Sequence, residues 1–413
     1  MDKHYDIVIA GGGMVGASLA CALAVSPACG DLRILVVEGF ALPADDQTPL
    51  YQPSFDARST ALAAGSRVIL EAMGVWAHLS QHLSPIEKIH VSNRGRAGSS
   101  LLDAEREQLP ALGYVVENQW LGRVLLARLQ SLPAVSWCSP AKVSKVGMGE
   151  ALAQITIELD GHSQSISAEL LVIADGAGSP LARSLGIDYR EQDYRHSAII
   201  ANIALGKPHS GVAYERFTDE GPMAMLPLSD NQSNARSALV WTMATAAAQS
   251  LMEASEDDFL ARLQDRFGYR LGRLQRVGER AIYPLGLIES CEQVRRNVVV
   301  MGNAAHFLHP VAGQGFNLAL RDIARLVQCL GEGVAAGQAV GDVSALRNYS
   351  EQQQWDQRKT TLFSDQVGQV FMSSQPLFAL ARDAGLSMLD VFSPLKSRFV
   401  KETAGLAGLQ PRW

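Results

Sequence analysis

The sequence predicts a mixed α/β (α+β) fold: a Rossmann-like dinucleotide-binding domain, interleaved with an antiparallel sheet and followed by a helical C-terminal region. Three observations carry this expectation. A strand, glycine turn, helix and strand open the chain; two further glycine-bearing loops follow apolar strand runs near residues 175 and 302; and a block of short strands lies between them. At 413 residues the chain exceeds what one hydrophobic core supports, so one domain interrupted by another is the natural arrangement.

The elements follow in order. Tyr5 to Ala10 is β-rich, Val15 to Ala24 is small and helical, and Arg33 to Val37 is a buried strand run, which together make a βαβ unit. Asp56 to Met73 has helical spacing, with Ala61, Leu62, Val68, Ile69 and Met73 able to share a face. Between Ile86 and Val116 the pattern shifts to short strands, such as Lys88 to Ser92, and Gly/Ser-rich turns. Gly122 to Leu132 reads as helix, and Glu169 to Ala174 as an apolar strand running into Asp175-Gly176. Ala198 to Leu205, Val212 to Phe217, Met223 to Leu228 and Ser237 to Met243 alternate with turn residues, as strands of an antiparallel sheet do. Asn297 to Met301 is another buried strand. Gln314 to Val334 is a helix with Leu320, Ile323, Val327, Leu330 and Val334 on one side. From Ser364 to Trp413 the chain reads as short amphipathic helices broken at Pro376 and Pro394.

Composition narrows the function. A net charge of -6 without any Lys/Arg block leaves no footprint for a nucleic acid. The five cysteines, Cys21, Cys29, Cys138, Cys291 and Cys329, are scattered without a C-x-x-C pair, which argues for a reducing compartment and against a disulfide framework or zinc knuckle. Ile7 to Gly30 lacks charge over a membrane-length span, but Gly11 to Gly13 suits a turn better than a lipid-facing helix, and no signal peptide is expected. His306 and His309 lie three apart without nearby carboxylates, so no metal site is expected. No G-x-S-x-G elbow supports hydrolysis.

The chemistry-bearing motifs are glycine loops. Gly11-x-Gly13-x-x-Gly16 sits between a strand and a helix, where glycine permits a tight turn and lets backbone N–H groups approach a pyrophosphate. Glu38 ends the second strand 22 residues past Gly16, placed to accept hydrogen bonds from a ribose, so the pair points to an adenine dinucleotide. Asp175-Gly176-Ala177-Gly178 follows a strand, and Gly302-Asn303 precedes the loop His309-Pro310-Val311-Ala312-Gly313-Gln314-Gly315-Phe316-Asn317 that opens a long helix. A helix N-terminus aimed at an anion contributes about 0.3–1 kcal/mol, and a reduced flavin is such an anion.

In this order and at these distances the three segments resemble the single-component FAD-dependent aromatic hydroxylases, the group that includes para-hydroxybenzoate hydroxylase. Within the group, Phe55-Asp56-Ala57-Arg58, Tyr283-Pro284-Leu285, the His309 to Asn317 loop and Arg321-Asp322 are similar to the ubiquinone-pathway branch. Gly302-Asn303 stands where most of the family has Gly-Asp; with Glu215-Arg216-Phe217-Thr218 and Gly221 to Pro227 it is similar to the 2-polyprenyl-6-methoxyphenol hydroxylases. Exchanging the charged acceptor for Asn weakens a buried hydrogen bond by about 1 kcal/mol.

The resemblance implies a Rossmann-like FAD-binding domain built from residues 1–85, 115–185 and 290–363, a substrate domain from 86–114 and 186–289, and a C-terminal helical region, 364–413. It implies that Gly11, Gly13, Gly16 and Glu38 hold the ADP half of FAD, that Asp175 and Asn303 bind along the diphosphate and ribityl chain, and that Gly315, Phe316 and Asn317 offer backbone N–H groups to the flavin's pyrimidine edge. Arg58 and Arg123 would approach the flavin or its pyrophosphate, an ordinary surface place on its helix being equally open for Arg123. No catalytic acid or base is legible; Pro310 is expected near the flavin. Phe217, Met223, Met225 and Leu226 are expected to wall an isoprenoid tail, a plain sheet core being the simpler alternative.

The implied chemistry is hydride transfer from NADPH or NADH to the flavin, capture of dioxygen as a flavin C4a-hydroperoxide, and hydroxylation of a lipophilic phenol of ubiquinone biosynthesis. Two rivals stay open: an FAD-dependent reductase or dehydrogenase of an isoprenoid substrate, and a flavin-bound scaffold subunit. A halogenase is disfavoured because no two tryptophans stand two apart. The protein is expected to be cytoplasmic, reaching its substrate through peripheral contact with the inner face of the membrane or through a ubiquinone-biosynthesis complex.

Overall fold

The computed structural model describes residues 2–42, 58–95, 99–231, 234–308, 313–372, 397, 400–402 and 404–406. Two large sheets organise them. In the first, five strands run parallel in the order Val298–Val300, His162–Ile173, His4–Ala10, Ile34–Val37 and Val135–Cys138. Four of them are buried aliphatic runs where they pair, which is what helices on both sides of a parallel sheet require, while Val135–Cys138, at the end of the row, is only partly buried. All four side chains of Ile34–Val37 are buried, and each such residue contributes about 1.5–3 kcal/mol. Ala141–Met148 and Ala153–Leu159 extend this sheet as antiparallel strands beyond His162–Ile173.

The span from Ile7 to Gly30 that lacks charge is the strand His4–Ala10, a turn, and the helix Met14–Val25. That helix is apolar all round because it is buried all round, between the sheet and the helices Asn118–Gln130 and Gln314–Ala335. In the last of these, Leu320, Ile323, Val327 and Leu330 are buried along one side and Val334 is half-buried. No helix among the described residues is long and apolar enough to cross a membrane.

The second sheet runs in the order His306–Phe307, Ala281–Ser290, Tyr189–Ala204, Asn234–Ala244, Pro222–Asn231, Val212–Phe217, Lys88–Asn93 and Ser99–Asp103. It is antiparallel, as the strand alternation predicts, except that Val212–Phe217 and Lys88–Asn93 pair in parallel, Glu215 opposite Val91. One face packs against the helices Thr245–Met252 and Glu256–Phe267 through Met225, Leu239, Trp241, Leu251, Phe259 and Phe267. The other face looks toward the first domain. His306–Phe307, leaving the nucleotide-binding core, joins this sheet opposite Ile288 and Glu289 and so ties the two halves together.

Two expectations are corrected. The helix expected over Asp56 to Met73 is not one helix within the described residues 58–73: Ser59–Ala63 is a strand, antiparallel to Gly113–Glu117, and only Ala64–Ala72 is helical. Gly113–Glu117 also pairs with Leu83–Ile86, closing a three-stranded sheet. At the other end the helix Val343–Met372 runs unbroken through residue 364, so no helical region begins there. The breaks expected at Pro376 and Pro394 lie outside the described residues.

Candidate active site

The site is built where strand ends of the first sheet meet two helix starts. After Ala10 the backbone turns at Gly11, whose φ is +103°. A Cβ there would stand 2.4 Å from the Ala174 carbonyl oxygen and 2.9 Å from Asp175 Cα, so the first glycine loop lies in contact with the turn that carries Asp175. Gly16 has the same necessity from the helix side, since its Cβ would fall 1.9 Å from the Gly11 carbonyl oxygen. Gly13 is different: as N-cap its φ is −65°, accessible to any residue.

Glu38 is buried at the end of Ile34–Val37 and accepts two backbone hydrogen bonds, from Gly12 N–H at 2.7 Å and Phe40 N–H at 2.9 Å. The carboxylate thus fixes the glycine loop while standing at its rim. The helix Met14–Val25 has no acidic residue in its first turn and no side-chain cap, which leaves its positive end for an anion.

The third loop closes on the same helix. Gly302, at φ +59°, packs so tightly on Val15 that a Cβ would stand 2.7 Å from its Cγ2. Asn303 follows, exposed, and lines a cavity of about 390 Å³ together with Arg58, Gly315, Phe316 and Asn317. Around Gly315 a Cβ would meet nothing within 4 Å. That glycine is therefore not required by the protein's own packing, and it leaves room for a flat ligand against the start of Gln314–Ala335. That helix too lacks a side-chain cap and any acid in its first turn.

Asn317 does more than its backbone. Its side chain accepts from Ala63 N–H (2.8 Å) and Ser66 O–H (2.7 Å) and donates to the carbonyls of Ala61 (2.8 Å) and Gly313 (2.7 Å), so every polar site on it is satisfied. It clamps the strand Ser59–Ala63 onto the helix start. Arg58, just before that strand, lies over the Tyr283 ring at 4.5 Å.

Not every expected residue meets the cavity. Arg123 is not among its lining; its guanidinium lies 4.9 Å from the centroid of the Trp120 ring, which in turn stacks on His82. On Pro222–Asn231 the pleat sends Pro222, Ala224 and Leu226 into the cavity, whereas Met225 is fully buried in the helix-covered core. Met223 belongs to that core and still touches the cavity, and Phe217 is buried outside it. Pro310 and His309 lie outside the described residues. His306 is buried 4.0 Å from the Asp322 carboxylate.

One lining residue has no counterpart among the expected site residues. Glu215 belongs to a motif noted only for its resemblance, yet it is the one carboxylate on the described cavity wall. Burial raises its carboxyl above the ordinary range, and among the described residues no hydrogen bond or neighbouring charge offsets that.

Comparison with known proteins agrees with this geometry. Residues 4–361 match the family model described as an FAD binding domain. The chain is 33% identical over 410 residues to the ubiquinone hydroxylase UbiL of Rhodospirillum rubrum, covering 99% of this chain and 92% of that one. It is 28% identical over 444 residues to the human mitochondrial ubiquinone biosynthesis monooxygenase COQ6, covering 97% and 92%. Among solved structures, p-nitrophenol 4-monooxygenase PnpA from Pseudomonas putida superposes with a TM-score of 0.78 at 17% identity, covering 98% of this chain and 99% of that one, a likeness of fold. The loops, the clamp and the match over nearly the whole chain lead to one conclusion: this protein belongs to the FAD binding domain family.

Proposed function

We propose that the protein is an FAD-dependent monooxygenase that hydroxylates the aromatic ring of a polyprenylated phenol in ubiquinone biosynthesis, using NADPH or NADH and dioxygen. The observation that carries this is the shared cavity, with an uncapped helix start and Gly315 on one side and the apolar pleat of the second sheet on the other. The curated relatives, named for ubiquinone hydroxylation, support the same substrate class.

Bound FAD supplies electron transfer from the nicotinamide and activation of dioxygen. The protein's own residues do the rest. Gly11, Gly13 and Gly16 let the ADP half approach the helix Met14–Val25, and Glu38 takes the ribose. Asp175 and Asn303 flank the chain between adenine and ring. Gly315, Phe316 and Asn317 would offer backbone N–H groups to the pyrimidine edge of the flavin, and the helix end there would favour a negative charge. Arg58, over the Tyr283 ring, lines the cavity and would approach the flavin there.

Ile200, Ala224, Leu226 and Val240 form the wall for the substrate and exclude water from the oxidising centre. The sheets support a division into an FAD domain, 1–85, 115–185 and 290–363, and a substrate domain, 86–114 and 186–289. A membrane-soluble phenol enters by peripheral contact with the bilayer or from a biosynthetic complex.

The test is turnover by purified holoprotein. A polyprenylphenol should accelerate NADPH oxidation, and oxygen-18 from dioxygen should enter the product. Turnover without dioxygen would identify a reductase instead, and bound FAD with no nicotinamide oxidation for any phenol would identify a scaffold.

A further inference from the structure

We propose that Glu215 is the group that recognises the substrate's ring hydroxyl, accepting its hydrogen bond and taking its proton as the ring is oxidised. This rests on the monooxygenase reading above and deepens it by naming a base.

The argument begins with the sheet register. Glu215 stands opposite Val91 on one side and Ala224 on the other, and the row continues through Val240 and Ile200. Of these, Glu215, Ala224, Val240 and Ile200 line the cavity. A carboxylate therefore sits in the middle of an apolar wall. Its chain neighbours Tyr214 and Arg216 point to the other face, where Tyr214 packs against Phe267 and Arg216 donates to the Arg266 carbonyl.

No charged group faces Glu215 from the two strands packed against it: on this face Lys88–Asn93 presents Ile89, Val91 and Asn93, and Pro222–Asn231 presents Pro222, Ala224 and Leu226. His90, registered with Tyr214, lies on the far face. The other charged side chain on the described cavity wall is Arg58, stacked on Tyr283. Glu215 is half-buried on this wall, and a carboxylate there with no hydrogen-bond partner among the described residues costs free energy unless something in the cavity satisfies it. A phenolic O–H does so, while the tail of the same molecule takes the apolar remainder of the wall.

The proton accounting follows. As the O–O bond of the dioxygen-derived oxidant breaks and its outer OH passes to the ring carbon, the other oxygen leaving as water with a proton from solvent, the substrate's hydroxyl O–H bond breaks, its electron pair moves into the ring, and a new O–H bond forms on the Glu215 carboxylate. When the ring regains aromaticity, its C–H proton leaves to solvent and the C–H electron pair returns to the ring. Glu215 then gives its proton back to the ring oxygen. Burial, by lifting the carboxyl above its usual range, brings its basicity nearer to working pH, where a base is most effective.

The test compares 2-geranylphenol with its O-methyl ether, each titrated into oxidised holoprotein and followed by perturbation of the flavin absorbance. Wild type should prefer the phenol by about tenfold or more. Glu215→Ala, with unchanged flavin content and melting temperature, should bind the two alike, and Glu215→Asp should recover part of the preference. A preference that survives Glu215→Ala overturns the proposal.

If the alanine variant does not fold, the isosteric Glu215→Gln serves. It should bind the phenol within a few-fold of wild type, slow single-turnover ring oxidation by about a hundredfold, and flatten the rise of that rate with pH. A wild-type rate and pH profile in Glu215→Gln would overturn the proposal. Because the binding comparison needs neither reductant nor dioxygen, it stands apart from the monooxygenase reading. Hydroxylation that persists without the phenol preference removes only the role of Glu215.

Discussion

The Asn317 side-chain oxygen accepts a hydrogen bond from the Ala63 backbone N–H at 2.8 Å, across 254 residues of sequence. Asn317 is 2% exposed, and replacing it removes the hydrogen bonds to two buried donors and two half-buried carbonyls. Asn317→Ala is expected to lower stability by about 3 kcal/mol, read as a drop in denaturant midpoint of the apoprotein. Asn317→Asp should be as harmful, because a carboxylate would face the carbonyls of Ala61 and Gly313.

The glycines separate by the reason each is a glycine. Gly11→Ala collides with the Ala174 carbonyl and is expected to cost more than about 2 kcal/mol in the apoprotein. Gly13→Ala and Gly315→Leu leave the apoprotein's melting temperature close to wild type, yet should purify without yellow colour. Flavin absorbance per mole of protein, set beside the thermal melt, checks both. Full colour in Gly13→Ala would remove that residue from the site.

Glu38 serves the fold before it serves a ligand. Glu38→Gln exchanges one acceptor of two backbone bonds for a donor, so a loss of about 1–3 kcal/mol in the apoprotein is expected. FAD affinity should fall further than stability does. Isothermal titration of apoprotein with FAD, beside a denaturant melt, separates the two effects.

Burial pushes Asp322 up to about 7 and His306 down to about 4. Between about 4 and 6.5 the folded pair holds one proton, on Asp322, and the unfolded pair also holds one, on the histidine; the two linkages cancel and stability stays flat. In Asp322→Asn only His306 titrates. The unfolded chain then binds more protons, and stability should climb with pH from about 4 to about 6.5. In His306→Gln only Asp322 remains, and stability should fall as pH rises from about 4 to about 7. Each slope spans a few kcal/mol, at about 1.4 kcal/mol per pKa unit, and denaturant melts across pH measure it.

The parts legible in the sequence are those fixed by local chemistry. Gly11, Gly16 and Glu38 are required by a tight turn and its acceptor, all within one βαβ unit. Ser59–Ala63 escaped because its partner strand, Gly113–Glu117, lies some fifty residues away and Ala61 and Leu62 suit either period. Met225 and Glu215 were sorted by which face of the sheet receives the helices Thr245–Met252 and Glu256–Phe267, a fact of tertiary packing that neither strand carries by itself. The long helix reached past 364 because no proline interrupts the chain before Pro376.

The parallel sheet sets the order in which a newborn chain can mature. Its last parallel strand in sequence, Val298–Val300, pairs with His162–Ile173, and the Gly302-Asn303 turn hangs directly from it. Until residues near 300 have been made, His162–Ile173 lacks this neighbour and the sheet that carries the opening glycine loop is incomplete. A pocket that needs all three glycine loops is therefore complete only when the final third of the chain has been made, and until then unpaired Val and Ile strands are open to wrong partners.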